Sequence, residues 1–466
     1  MTTDWLKDLT TILSDGALRE VGDTYLTEPR GMWRGSAAAV VAPSDTEEVA
    51  RVIRFAASRG IPVVPWSGGT GLVGGQTMPD AMPILLSTER MNRIREVYPS
   101  ENVLVAEAGC ILTDVHGAAA DADRLFPLSL ASEGTARIGG LLATNAGGVQ
   151  VLRYGNARDL VLGIEAVLPS GEILRGLRRL RKDNTGYDLR NLLIGAEGTL
   201  GVITAAALRL FPRPAHEGTA VLVVESPAKA LDLLGRALKL GGVTAFELMA
   251  GQGMQFLQET GVPVRLPFPE APEWSVLIDL GLGPEDDPIE RLERLFVEGH
   301  ETGLVSDGVI ASSEAQRRDL WAVRETIPEA NKRIGAIASN DISLPLSAVP
   351  DFIDGCGARL RQAADLRINC FGHLGDGNLH YNLFPAEGRS RADYTDRVAE
   401  LREIVAHEVA ARDGSFSAEH GVGRLKVAEL ERYGDPAKMQ AMRAIKAALD
   451  PAGIMNPGAV LRAPSR

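Results

Sequence analysis

The chain carries only seven histidines, and three of them stand in glycine-rich settings. His373 and His380 lie in GHLGDGNLHYN (Gly372 to Asn382), and His420 lies in SAEHGVG (Ser417 to Gly423), directly after Glu419. Two imidazoles and one carboxylate form an established ligand set for a divalent ion that keeps open positions. Imidazole also titrates near neutrality, so it can take a proton from a substrate. His373, His380, Glu419 and His420 are therefore candidates for a metal set and a base beside it. Adjacent side chains usually point apart, so of Glu419 and His420 one could face an ion while the other faces a substrate. The plainer alternative is that all four are hydrogen-bonded polar residues at turns. His116, His216, His300 and His407 have no such context. Arg324, in LWAVRETIP, sits on an amphipathic helix starting near Glu314; its fork of donors suits a carboxylate, although solvent or an ion pair would also satisfy it.

These side chains need elements to hold them. Arg367 to Phe371 and Asn378 to Phe384 read as two strands joined at Gly375-Asp-Gly377, which predicts a hairpin with His373 and His380 facing each other at its mouth. Alternation along the second strand puts His380 and Asn382 on one face. Further back, Ala37 to Val41 reads as a strand, and Ser44-Asp-Thr-Glu47 as a capping box opening a helix to about Ser58. Gly60 ends that helix and Ile61 to Val64 forms the next strand, a βαβ start. Leu160 to Leu168 is another strand, followed by a turn at Pro169-Ser-Gly171. Beyond Phe211-Pro-Arg-Pro214 the glycines thin out and helices alternate with strands, which places a domain boundary near residue 214. Residues from about 217 to 410 read as an α+β unit with a Pro-rich loop at Pro263 to Pro272. Val427 to Leu449 reads as a helical tail. No internal repeat stands out.

The glycines carry the second signal. There are 50 among 466 residues, and 21 of them fall between Gly60 and Gly201. Glycine lets backbone approach a ligand closely. PWSGGTGLVGG (Pro65 to Gly75) contains GxGxxG at Gly69, Gly71 and Gly74. A nicotinamide-type fold would need a helix opening at this motif. The chain instead runs through Pro79 to Pro83, so that reading fails. Successive N–H groups in such a loop can still cradle a pyrophosphate as a nest. LASEGTARIGGLLATNAGG (Leu130 to Gly148) and DNTGYDLRNLLIGAEGTLGVIT (Asp183 to Thr204) are two further clusters.

Bulk properties narrow the class. Asp plus Glu outnumber Lys plus Arg by 61 to 49, which argues against nucleic acid as partner. The basic run Arg175, Arg178, Arg179, Arg181 and Lys182 reads as a solvated edge, with an acidic docking partner as the alternative. Three widely spaced cysteines form neither a metal pair nor a disulfide framework, which fits a reducing compartment. No apolar run approaches the roughly 18 residues of a membrane span. Asp4, Lys7, Asp8 and Asp15 are wrong for a secretory leader. A cytoplasmic location is the expectation.

Taken together, the glycine loop at Pro65 to Gly75, ATNAGG, GTLGVIT, GHLGDGNLH, SAEHGVG and the closing NPG resemble one family, over about residues 37 to 460. It is the FAD-dependent D-2-hydroxy-acid dehydrogenases (D-lactate, D-2-hydroxyglutarate and glycolate dehydrogenases), flavoproteins of the vanillyl-alcohol-oxidase type. The resemblance implies an α+β fold. A two-subdomain FAD-binding domain would take residues 1–214, an α+β substrate- and metal-binding cap 215–412, and a short helical C-terminal segment 413–466. It implies that Pro65, Ser67, Gly68, Gly69, Thr70, Gly71 and Gly74 cradle the FAD pyrophosphate. Ser132, Gly134, Gly139, Gly140, Thr144, Asn145, Gly147 and Gly148 would line the flavin. Glu197, Gly198, Gly201 and Ile203 would follow on the adenine side, and Asn456 would return near the isoalloxazine. With no histidine in the glycine loop, FAD is expected to be non-covalent. In metal-dependent members the matches of His373, His380 and Glu419 hold Zn or Mn. The match of His420 is the base, that of Arg324 grips the substrate carboxylate, and that of Asn382 is a further active-site polar group.

One departure stands out. The 2-hydroxyglutarate dehydrogenases that share NDISLP (Asn340 to Pro345) carry a lysine for the distal carboxylate where this chain has Ser339. Pro328 likewise replaces a small hydroxyl residue, and Arg333 is a cation that could compensate. The expected reaction is oxidation of a D-2-hydroxy acid of the D-2-hydroxyglutarate, D-malate or D-lactate type to the 2-oxo acid. Hydride would pass to flavin N5, with electron-transfer flavoprotein or a quinone-linked carrier as acceptor and a homodimer as the assembly. The alternatives are a 2-hydroxy-acid oxidase or glycolate oxidase subunit, an electron-transfer module without its own substrate, and, more remotely, a metal-dependent hydrolase, which would leave the glycine-rich half without a task.

Overall fold

The computed structural model describes residues 5–463. They form two compact units: residues 5–147, 154–213 and 419–463 make up the first, and 148–153 with 214–418 the second. The last 45 or so residues therefore fold with the first unit instead of standing apart as a C-terminal segment.

The first unit contains two main sheets. In the smaller, Ala39–Val41, Ile84–Ser87 and Val63–Trp66 lie side by side and parallel, with Leu18–Arg19 antiparallel at the edge. The helix Thr46–Arg59 is the crossover between Ala39–Val41 and Val63–Trp66, the right-sized connection for parallel strands. Its cap differs from the expectation by one residue. Asp45, not Ser44, accepts from the Glu48 N–H. Glu48, not Glu47, turns back to accept from the Ser14 and Ser44 amides, because it is the acid on the buried face. Gly60 closes the helix at φ 61°, a left-handed position where glycine carries no strain. The larger sheet is antiparallel, in the order Ile94–Tyr98, Val103–Glu107, Val202–Arg209, Val161–Val167, Ile173–Gly176. The basic run along its edge is a solvated one: Arg175 pairs with Glu47, Arg178 with Asp183 and Arg179 with Glu101. The helical tail is two helices, Val427–Tyr433 and Pro436–Leu449, because Gly434 and Pro436 interrupt it.

The second unit is a seven-stranded antiparallel sheet. Its order is Val305–Ile310, His216–Val224, Trp274–Leu282, Val243–Ala250, Leu366–Gly372, Asn378–Pro385, Ala338–Ser343. Helices Pro227–Leu240 and Val349–Ala363 cover one face with a core that includes Leu379, Tyr381 and Leu383. Helices Gly251–Thr260 and Glu314–Ile334 cover the other, over Met249, Phe371 and Phe384. The expected hairpin is present, but its turn is a short 3₁₀ helix, Leu374–Asp376, closed by Gly377 at φ 82°. Among the described residues no helix is long and apolar enough to cross a membrane.

Candidate active site

In the first unit the strand Val63–Trp66 ends and the glycine loop begins without any helix following. The loop borders a cavity of about 940 Å³ of empty space, solvent at its mouth included. Pro65, Ser67, Gly68, Gly69, Thr70 and Gly71 line it, as do Gly139, Gly140, Thr144, Glu197, Gly198, Gly201 and Ile203. Among the described residues, the backbone N–H groups of Gly68, Gly69, Thr70 and Gly71 find no acceptor in the protein. Backbone donors left unmade beside a cavity call for an acceptor supplied from outside, and four in a row suit an oxyanion. The loop holds its shape from behind. Gln76 donates to the Gly71 carbonyl at 2.7 Å, and Gly69 sits at φ 69°, where a side chain would meet the Trp66 ring.

His420 lines the same cavity. Its Nε2 lies 3.9 Å from a Glu419 carboxylate oxygen, beyond hydrogen-bond range. Glu197 sits at φ 50°, and its carboxylate accepts from the Val422 and Gly423 amides at 2.7 Å each, so it fastens the His420 segment to the cavity wall. Burial raises the Glu197 carboxyl above its ordinary range despite those two amides.

Other residues expected at the cofactor have different tasks here. Asn456 is not in the cavity lining. It donates to the Gly75 and Glu197 carbonyls at 2.9 Å each and accepts from Arg424, so its polar atoms are spent bracing the loop. Asn145 is the left-handed C-cap of the helix Ile138–Thr144 and accepts from the Arg158 amide. Ser132 forms a turn through its carbonyl, and Gly134 has open space around it. Gly74 packs against Trp33, Gly147 lies outside the lining, and Gly148 belongs to the second unit. Reading glycine patterns missed Trp66, Gln76, Thr88 and Arg137, all in the wall. Arg424, which donates to the Gly74, Gly75 and Pro457 carbonyls, was also missed; burial pushes its guanidinium down to about 10.

In the second unit the sheet brings together the side chains expected there. His373 and His380 meet with ring centroids 5.6 Å apart, edge to face. Asp341 lies opposite His380 in the register, its carboxylate 3.9 Å from Nδ1. Asn382 is buried and accepts from the Asn340 amide at 3.1 Å. A residue that the sequence reading passed over organises the rest. Glu247, fully buried in the strand Val243–Ala250, accepts from His373 Nδ1 at 2.7 Å. It also holds Arg324, whose Nε and Nη2 both lie 2.8 Å from its other oxygen. One side of the fork expected to await a substrate carboxylate is thus engaged within the protein, and the two Nη1 donors and the second Nη2 N–H remain. Burial alone would raise the Glu247 carboxyl; the neighbouring His373 and Arg324 outweigh it and hold the group at about 2. A lone acid in the largely apolar VTAFELMA was the legible signal, since a buried charge needs a partner.

The remaining expectations concern the distal pocket. Ser339 is exposed and lies opposite Asn382 in the register. Arg333, the cation that could compensate, pairs with Glu329 at 3.0 Å and donates to the Thr260 carbonyl. Pro328 falls inside the helix Glu314–Ile334, four residues after Arg324, so it has no N–H to give the Arg324 carbonyl.

The family described as "FAD binding domain" matches residues 37–176, and that described as "FAD linked oxidases, C-terminal domain" matches residues 213–460. Among curated proteins, the mitochondrial D-2-hydroxyglutarate dehydrogenase of Bos taurus is 40% identical, over 91% of this chain and 77% of the bovine one. The D-2-hydroxyglutarate dehydrogenase of Xanthomonas citri pv. viticola is 36% identical, over 91% of this chain and 89% of its own. The compartment named for the bovine relative differs from the cytoplasmic expectation. Among solved structures, p-cresol methylhydroxylase with substrate bound superposes at TM-score 0.74 and 15% identity, covering 98% of this chain and 96% of that one. Alkyldihydroxyacetonephosphate synthase gives 0.73 and 17%, covering 98% and 85%. These two establish the fold.

Proposed function

The chain belongs to the FAD-linked oxidases, and from that premise we propose that it oxidises a D-2-hydroxy acid to the 2-oxo acid, with D-2-hydroxyglutarate, D-malate and D-lactate as first substrates. The observation that carries this reading is the position of His420. It opens into the same cavity as the row of unpaired N–H groups at Gly68 to Gly71, which have the chemistry to hold the pyrophosphate of a non-covalent FAD.

FAD, when bound, supplies the hydride acceptor that no side chain can provide. His420 takes the proton of the substrate hydroxyl on a ring nitrogen, which leaves the C2 hydride ready to depart. Arg324 Nη1 and the Asn382 amide orient the substrate carboxylate. His373 and His380 supply imidazoles, and Glu419 a carboxylate, suited to Zn or Mn, an ion that would draw electron density from the hydroxyl. The donor set within the second unit fits such an ion. With Nδ1 of His373 occupied by Glu247, its lone pair is left on Nε2. Electrons then leave to electron-transfer flavoprotein or a quinone-linked carrier.

Anaerobic mixing with a panel of D- and L-2-hydroxy acids tests the reading. The flavin band should bleach with D isomers and not with their L counterparts. Equal bleaching by both, or by none of the acids, would overturn it. Comparing D-lactate with D-2-hydroxyglutarate measures what Ser339 costs a dicarboxylate.

A further inference from the structure

Glu247 has no task in the reaction as drawn, yet both of its oxygens are engaged. It is fully buried, on a strand whose other seven residues are all buried too. One oxygen takes the Nδ1 of His373 at 2.7 Å, and the other takes both Nε and Nη2 of Arg324. Arg324 is fixed from its flat side as well, with its guanidinium 4.8 Å from the Phe371 ring centre. One carboxylate thus joins a candidate metal ligand to a candidate substrate cation.

The charges make the arrangement self-sufficient. Arg324 by itself brings one full positive charge to Glu247. A neutral imidazole that donates from Nδ1 has its lone pair on Nε2, the form a metal requires. The same carboxylate holds Arg324 by two of its three nitrogens, which fixes where the third lies.

We propose that Glu247 is the positioning residue of this site, setting the His373 tautomer for metal binding and the direction of Arg324 for the substrate carboxylate. The proposal rests on the metal reading given above for His373.

The test uses the FAD-loaded protein and its Glu247→Gln variant, which keeps the shape and removes the charge. Zinc affinity is read by competition with a chromogenic chelator. The variant should bind zinc about 10–100-fold more weakly, the usual effect of removing an orienting partner. In turnover, excess zinc should restore kcat, while KM for the hydroxy acid stays raised because Arg324 has lost its anchor. A merely structural role would give no such split. Equal zinc affinity in the two proteins overturns the proposal. Should the variant not fold, nitrogen-15 spectra of histidine-labelled, metal-free wild type decide the matter: Nδ1–H on His373 supports the assignment and Nε2–H on His373 refutes it. If wild type itself takes up neither zinc nor manganese, the metal reading has failed, and the tautomer measurement still judges Glu247.

Discussion

At the glycine loop of the first unit the groups without partners among the described residues are backbone amides; around Glu247 in the second, the charged side chains are spent on one another. Gly68 to Gly71 present N–H groups to a cavity and ask little of side chains. Glu247, Arg324 and His373 form a closed set whose geometry depends on every atom of three side chains. The first arrangement recognises any ligand with well-spaced oxyanions, and suits a cofactor used unchanged by many chemistries. The second is particular, and suits the reacting end of one substrate class. A loop of amides tolerates loss of a side chain but not of its backbone path; a charge set behaves the other way round.

That contrast can be broken by mutation. The largest effect is expected at the chemistry itself. His420→Ala should slow flavin reduction about 10²–10⁴-fold while the protein stays yellow, and rapid-mixing spectroscopy would expose an unchanged rate. Next comes metal removal. Chelator treatment should lower turnover more than tenfold, with Zn or Mn restoring it; full activity in a metal-free sample would take the ion out of the scheme. Gly69→Ala probes the backbone path. The loop residue sits at φ 69°, with Trp66 ring atoms 2.7 Å from the new Cβ, so strain of about 1–3 kcal/mol should weaken FAD binding tenfold or more in a fluorescence titration. Thr70→Ala, which keeps the N–H, should weaken it less than about threefold. If the two losses are equal, the loop binds through side chains and the contrast falls.

The last effect is on stability in acid. The Glu247 carboxyl lies at about 2 in the folded chain against an ordinary 4.5. Its stabilisation is complete above 4.5 and is lost as pH falls towards 2. Metal-free wild type should therefore lose thermal stability more steeply across that window than Glu247→Gln. Parallel curves would show that the carboxylate is not held ionised by its neighbours.

The same contrast explains what the sequence allowed one to read. Backbone sites leave a compositional trace, because only glycine tolerates their dihedral angles and close approaches. PWSGGTGLVGG and GTLGVIT, which line one cavity, could therefore be singled out from composition and spacing. The histidine hairpin was legible from alternation along Asn378 to Phe384. What escaped were partnerships across sequence distance. Nothing local to TAFELMA names His373, 126 positions on, as the partner of Glu247. Asn456 misled for the same reason: its motif marks the neighbourhood, yet its amide is consumed by the Gly75 and Glu197 carbonyls.

The bridge between Val63 and the stretch around Met455 carries a consequence for how the protein is made. The Val63 amide donates to the Ile454 carbonyl, and the Asn456 amide returns to Val63. Strand Val63–Trp66 emerges from the ribosome early, yet its edge partner follows roughly 390 residues later, about 20–80 s at ordinary elongation rates. The second unit, drawn almost wholly from one continuous stretch, can be complete by then. The parallel sheet of the first unit is thus completed late in synthesis, and a chain lacking the stretch around Met455 should keep a folded second unit while the edge of Val63–Trp66 stays open.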